Sequence, residues 1–285
     1  MWVLEERMRS ASLAMGEGGL QYHIQARPGD VAPYVLLPGD PQRADIISSL
    51  WDNAKLIAYH REFKTYTGRY KGTPISVTST GIGAPSAVIA VEELLRVGAN
   101  TFIRVGTMGA IQSGVRVGDI VIGVAAVRLE GASKDYVRPE YPAHANYEVI
   151  LALVEAAERL GVRYHLGVVA STDTFYLGQT RPGLGGYMNS ESARRLPDLV
   201  EAGVLGFEME ASAIFTVSSI YGARAGCVCA AIANRVTNEF IPGRGVLDAS
   251  KVASEAVHIL NLIDKKKREA GKRWASISMM KDLNI

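Results

Sequence analysis

Residues 75–109 read ISVTSTGIGAPSAVIAVEELLRVGANTFIRVGTMG. The stretch opens on a short β-branched run that stops at Gly81, as a strand does before a turn. Val88, Val91, Leu94 and Leu95 then follow at helical spacing. A second apolar run, TFIRVG, closes on another glycine turn. Strand, turn, helix, strand and turn make the repeating unit of a sheet covered by helices.

The same alternation continues on both sides. PYVLLPG (33–39) is a short strand ending in Gly39, and DPQRADIISSLW (40–51) starts a helix. Downstream, DIVIGVAAVRL (119–129) is β-rich. NYEVILALVEAAERLG (146–161) sets Ile150, Leu153, Val154, Ala157 and Leu160 on one helical face, with Gly161 as a stop. LGVVASTD (166–173) and AGCVCAAIANR (225–235) read as strands, and EMEASAIFTVSSIYG (208–222) and residues 249–271 as helices. One α/β domain is expected, with a central sheet and helices on both faces. It should span 21–265, between an N-terminal extension (1–20) and a basic, solvated tail (266–285). In such folds ligands collect at the carboxyl ends of the strands.

Composition narrows the class. With 285 residues, 48% hydrophobic and 21% charged, the chain can bury a sizeable core. A net charge of +2 gives no ground for a nucleic-acid or membrane partner. Glu5, Glu6 and Arg7 interrupt any apolar leader, and no run is long enough to cross a bilayer. The two cysteines, Cys227 and Cys229, fall at i,i+2 in an apolar strand without a completing ligand set. They read as small core residues, and their scarcity fits a reducing compartment, the cytoplasm being expected.

The strand ends carry the chemistry. PGDPQR sets Gly39 and Arg43 where backbone N–H groups and a helix start favour an anion. TGIGAPS resembles a dinucleotide fingerprint, but the next strand ends in Arg104 and Thr107 where a ribose-binding acid belongs, so that reading is set aside. Arg104 lies in a run fit for a buried strand, and a buried guanidinium needs an anion. Glu208 or Glu210 could supply it as an internal ion pair. A phosphate, held bidentately, is the preferred partner. STDTFYLGQTRPGLG (171–185) combines Phe175 and Tyr176 with Gln179 and Arg181, groups able to stack on a flat ring and bond its edge. The alternative is a surface loop whose aromatics cover core.

LPGDPQR, HREF, STGIGAPSAVIAVEEL, IRVGTMGAI, STDTFYLGQTR, EMEAS and NR after the last strand occur together, from about Tyr22 to Leu260. In this order the set resembles the nucleoside phosphorylase-I family. The resemblance implies a three-layer α/β/α sandwich around a mixed, twisted sheet. It also implies reversible phosphorolysis of uridine to uracil and ribose 1-phosphate, a pentosyltransferase reaction of nucleoside salvage. Gly39, Arg43, Arg104 and Thr107 would bind phosphate, with Arg61 arriving from a neighbouring subunit. Thr107, Glu208, Met209 and Glu210 would hold the ribose, with His23 also crossing the interface. Phe175, Gln179 and Arg181 would hold uracil, braced by Arg235, and Arg104, Arg181 and Glu210 would carry catalysis. No organic cofactor is implied, inorganic phosphate being the co-substrate. Glu62, Ile82 and Ser86 match a monovalent-cation site, for potassium, known at the dimer interface of some relatives. The assembly implied is a hexamer built as a trimer of dimers. Met108 and Phe207 depart from the threonine and tyrosine common at their positions.

Three rivals remain. Purine-specific relatives carry an Asp after the last core strand, where this chain has Asn234 and Arg235. A hydrolytic nucleosidase would have no use for three phosphate-directed arginines. A non-catalytic nucleoside-binding protein could keep the base loop but should lose some phosphate or ribose ligands.

Overall fold

A computed structural model describes residues 11–280. Its strands are β1 (Tyr34–Leu37), β2 (Asp52–His60), β3 (Phe63–Tyr70), β4 (Thr73–Thr78), β5 (Thr101–Ala110), β6 (Ile120–Leu129), β7 (Tyr164–Thr172), β8 (Gly206–Glu208), β9 (Arg224–Asn234) and β10 (Glu239–Phe240). Its α-helices are α1 (Pro41–Ser48), α2 (Ala84–Arg96), α3 (Ala132–Tyr136), α4 (Tyr147–Arg159), α5 (Ser190–Glu201), α6 (Ala211–Ile220), α7 (Val246–Glu269) and α8 (Ile277–Met280).

The strands form one mixed sheet in the order β10-β9-β6-β7-β8-β5-β1-β4-β3-β2. β1, β4, β5 and β9 run parallel, while β6 meets β9 and β8 meets β5 antiparallel. β9 also pairs with β5, so β5, β9, β6, β7 and β8 close into a ring, which the sequence pattern does not reveal. The expected α/β domain is present, with helices on both faces. One core packs α2 and α6 against the sheet through Leu94, Phe102, Ile214 and Phe215. The other packs α1, α4 and α7 through Ile47, Leu153, Val228 and Leu260.

Local chemistry sets the helix starts that matter for the site. Asp40 caps α1 by accepting the N–H of Gln42, with Pro41 in the first turn. α2 begins after Gly83, whose φ of 99° favours glycine, and has Pro85 in its first turn.

The sequence pattern misses the β2–β3 hairpin and α5. Of the expected extension, residues 1–10 lie outside the described residues. From Met15 the chain is folded back: Met15 bridges Gln21, and Leu20 is buried. The basic tail is not simply solvated, which corrects that expectation. Lys267, in the last turns of α7, donates to both oxygens of the buried Glu148, and the N–H of Ala275 donates to the same carboxylate. Glu148 also pairs with Arg224 at 3.0 Å, and the tail completes the set of donors around this buried carboxylate.

Candidate active site

The carboxyl ends of β1, β5, β8 and β9 surround a cavity of ≈ 480 Å³. Gly39, Arg43, Ile82, Arg104, Thr107, Phe175, Gln179, Arg181, Glu208, Met209 and Glu210 all line it, although they come from five separate regions of the chain. Two glycine turns meet at its rim. A Cβ on Gly39 would lie 3.1 Å from Gly81 O, so the close approach of the β1 and β4 ends favours glycine there.

Two guanidiniums face this rim. Arg43, from the first turns of α1, donates to Val105 O at 3.1 Å. Burial lowers its pKa and the charge of Arg104 lowers it further, so an anion beside the pair would be welcomed. Arg104 itself is buried on β5, and its immediate anions are protein carboxylates. Nε lies 2.6 Å from Glu208 Oε2 and Nη1 lies 2.5 Å from Glu210 Oε2. The Nε contact misses hydrogen-bond alignment and is a charge contact. Arg104 therefore has both Glu208 and Glu210 as protein partners while it also lines the cavity. Burial alone would lower the Arg104 pKa, yet Glu210 and Glu208 hold it well above its usual range.

The carboxylates are themselves fixed. Glu208, at the end of β8, accepts the N–H groups of Glu210 and Ala211, both at 2.9 Å, and so closes the open start of α6. Its other oxygen accepts from the Ser171 hydroxyl. Glu210 accepts the N–H of Gly83. Burial raises the Glu210 pKa, Arg104 opposes this, and Glu208 adds to it.

The base loop contributes Phe175, Gln179 and Arg181 to the lining. The Arg181 guanidinium sits 3.9 Å over the Phe175 ring. It donates to Phe175 O at 2.8 Å and to Gln179 Oε1 at 2.6 Å. Burial, with Arg235 second, brings its pKa down to about 10, which leaves it charged at neutral pH. Arg235 donates to the carbonyls of Gln179 and Thr180, and it acts behind the loop rather than in the cavity.

Other expected residues lie outside the cavity of their own chain. His23 pairs through Nδ1 with Glu93 at 2.7 Å, and Arg61, at φ 55° in the hairpin turn, reaches toward the Tyr22 ring. The Ser86 hydroxyl lies between Glu62 Oε1, at 2.8 Å, and Thr80 O, which share its one proton. One carboxylate and one hydroxyl, with Ile82 able to offer only its backbone, do not close a cation's ligand set within one chain. Among the described residues, no group of three His, Cys, Asp or Glu side chains could hold a metal ion.

Sequence reasoning did not find Ile232 and Phe240, which also line the cavity. Ile232 is hidden in an apolar strand, and Phe240 sits on the two-residue strand β10. Neither carries a signal that separates it from core or surface.

Residues 33–261 match the family model described as Phosphorylase superfamily. The chain is 62% identical over 268 residues to the uridine phosphorylase of Thermococcus kodakarensis, spanning 94% of this chain and 96% of that one. It is 41% identical over 242 residues to the uridine phosphorylase of Escherichia coli (84% and 94%). It is also 42% identical over 216 residues to the guanosine phosphorylase of Halorubrum lacusprofundi (76% and 84%). No helix among the described residues is long and apolar enough to cross a membrane.

Proposed function

The chain belongs to the phosphorylase superfamily, and on that premise we propose that it catalyses the reversible phosphorolysis of uridine to uracil and ribose 1-phosphate. One observation carries this reading. Two guanidiniums, Arg43 and Arg104, line one cavity together with the Gln179–Arg181 pair, and Glu208, Met209 and Glu210 line it as well.

The chemistry follows from that layout. Phosphate, held by Gly39, Arg43, Arg104 and Thr107, places one oxygen against C1′ of the sugar. The C1′–N1 bond breaks and its electron pair passes to the ring of the base, while the new C1′–O bond forms. The protein supplies no nucleophile; it orients the two reactants. Glu210 and Met209 hold the sugar as it becomes oxocarbenium-like. Arg181 and Gln179 stabilise the charge arriving on uracil, which then takes a proton from solvent. His23 and Arg61 fit this scheme when a second copy of the chain presents them, in a dimer stacked into a hexamer. Glu62, Ile82 and Ser86 would then share a potassium ion with their counterparts, outside the reaction itself. A cytoplasmic setting suits such a salvage step.

A purine reading is favoured less. Asn234 stands where an acid would be needed, and its side chain is spent on Gln112 O, Val115 O and the N–H groups of Val236 and Thr237. The test is release of base from a nucleoside panel with and without phosphate. Uridine should be cleaved much faster than inosine, and only with phosphate present, since a pocket that pairs a polar edge rejects the wrong edge strongly. Faster cleavage of inosine would overturn the pyrimidine assignment, and phosphate-independent release would indicate a hydrolase.

A further inference from the structure

The carboxamide of Gln179 is held at both ends. Its Oε1 accepts from Arg181 Nη1 at 2.6 Å, and its Nε2 donates to Thr172 Oγ1 at 3.2 Å. The Thr172 hydroxyl donates in turn to Thr174 O at 3.3 Å, which leaves its lone pairs to the amide. A guanidinium carries only donors, so the amide atom against Arg181 must be the oxygen. Turned over, the amide would set N–H against N–H. Thr172 is 1% exposed and does not line the cavity, so water does not replace its hydroxyl as the partner of the amide. Gln179 lines the cavity. By valence, one lone pair of Oε1 and one N–H of Nε2 remain for a ligand.

We propose that Thr172 is a positioning residue for base selection. With Arg181 it locks the Gln179 carboxamide, so that the cavity presents an acceptor and a donor to the base in fixed order. That order matches the imide edge of uracil, a ring N–H beside a carbonyl. It opposes an aminopyrimidine edge, where a bare ring nitrogen stands beside an amino group. With the sugar end anchored, the ring cannot slide by one atom to recover the pairs. The assignment rests on the uridine phosphorolysis proposed above and names what enforces its choice of base.

The test is phosphorolysis of uridine and cytidine by the wild type and by Thr172→Val, Thr172→Ala and Thr172→Ser. Where cytidine turnover is too slow to measure, inhibition by cytosine against uracil is read instead. Valine and alanine leave the amide tied at Oε1 alone and its Nε2 without a partner, so the uridine-to-cytidine ratio of kcat/KM should fall about tenfold or more, mainly through uridine. Serine keeps the hydroxyl and should return the wild-type ratio. A packing defect alone would slow both nucleosides together and leave the ratio intact. Valine keeps the bulk and alanine removes it, so a folding failure in one leaves the other to decide, with thermal melts identifying which is folded. An unchanged ratio in a folded valine or alanine variant overturns the lock. A wild type that cleaves no uridine overturns the underlying reading instead.

Discussion

Glu210 Oε1 accepts the backbone N–H of Gly83 at 2.5 Å, so the carboxylate that faces Arg104 also fixes the entrance of α2. Burial raises the pKa of this group, against the pull of Arg104. Its folded value therefore lies above its unfolded one. The stability it contributes is whole below the unfolded value and is lost as pH rises through the folded value. Activity should run the other way, because the ionised form pairs with Arg104 and receives the sugar hydroxyls. We expect an acid limb of kcat/KM for uridine with an apparent pKa above the ordinary glutamate value of about 4.3. Glu210→Gln should be much slower and should lose that limb. pH–rate profiles of the two proteins check this.

Arg104→Ala should be nearly inactive and also destabilised. The substitution leaves Glu208 and Glu210 as buried like charges, and breaking a buried ion pair from one side costs about 3–5 kcal/mol. Part of that loss should return in mild acid, where the carboxylates take up protons. Denaturant melts at neutral and mildly acid pH measure both effects. A variant of wild-type stability at neutral pH would mean that the pairs seen here contribute nothing net.

Arg61 lies outside the cavity of its own chain, whereas Arg181 lines it. If Arg61 serves a neighbouring copy, Arg61→Ala and Arg181→Ala should each be nearly inactive alone. Co-refolded, they should recover about a quarter of wild-type activity, because random pairing across an isologous interface leaves one intact site in each mixed dimer. No recovery in proven mixed oligomers would place Arg61 outside the reaction.

Glu148 gathers Arg224, Lys267 and the N–H of Ala275 far from the reacting groups. Burial would raise its pKa, but Lys267 and the other donors hold it below the usual carboxylate range. Its contribution is present above the unfolded value and is lost as pH falls through the folded one. Glu148→Ala should therefore cost roughly 3–5 kcal/mol at neutral pH, and less in acid, with KM for uridine unchanged. Melts and steady-state kinetics on one preparation separate the two.

Much of this was legible in the chain itself. α2, α4, α6 and α7 announce themselves through apolar spacing, and Arg104 in an apolar strand correctly signalled a buried charge in need of an anion. What stayed hidden has physical causes. β2 and β3 are half-exposed strands at the sheet edge, so Lys55, Lys64 and Arg69 dilute their alternation. α5 is mostly exposed and carries Pro197 inside, which argues against a helix when read alone. That both Glu208 and Glu210 reach Arg104 depends on how β5, β8 and α6 meet, and no local pattern records that. The Thr172–Gln179–Arg181 contacts depend on amide orientation, which spacing cannot express.

The ring of strands imposes an order on synthesis. β5 is complete at Ala110, but its partner β9 begins only at Arg224, and β6 waits for the same strand. A ribosome therefore displays a long unpaired edge on β5, and a four-residue one on β6 at Ile120–Gly123, through much of translation. Nascent chains halted before residue 224 are the species that chaperones would have to shield, and that crowded expression would lose first to aggregation.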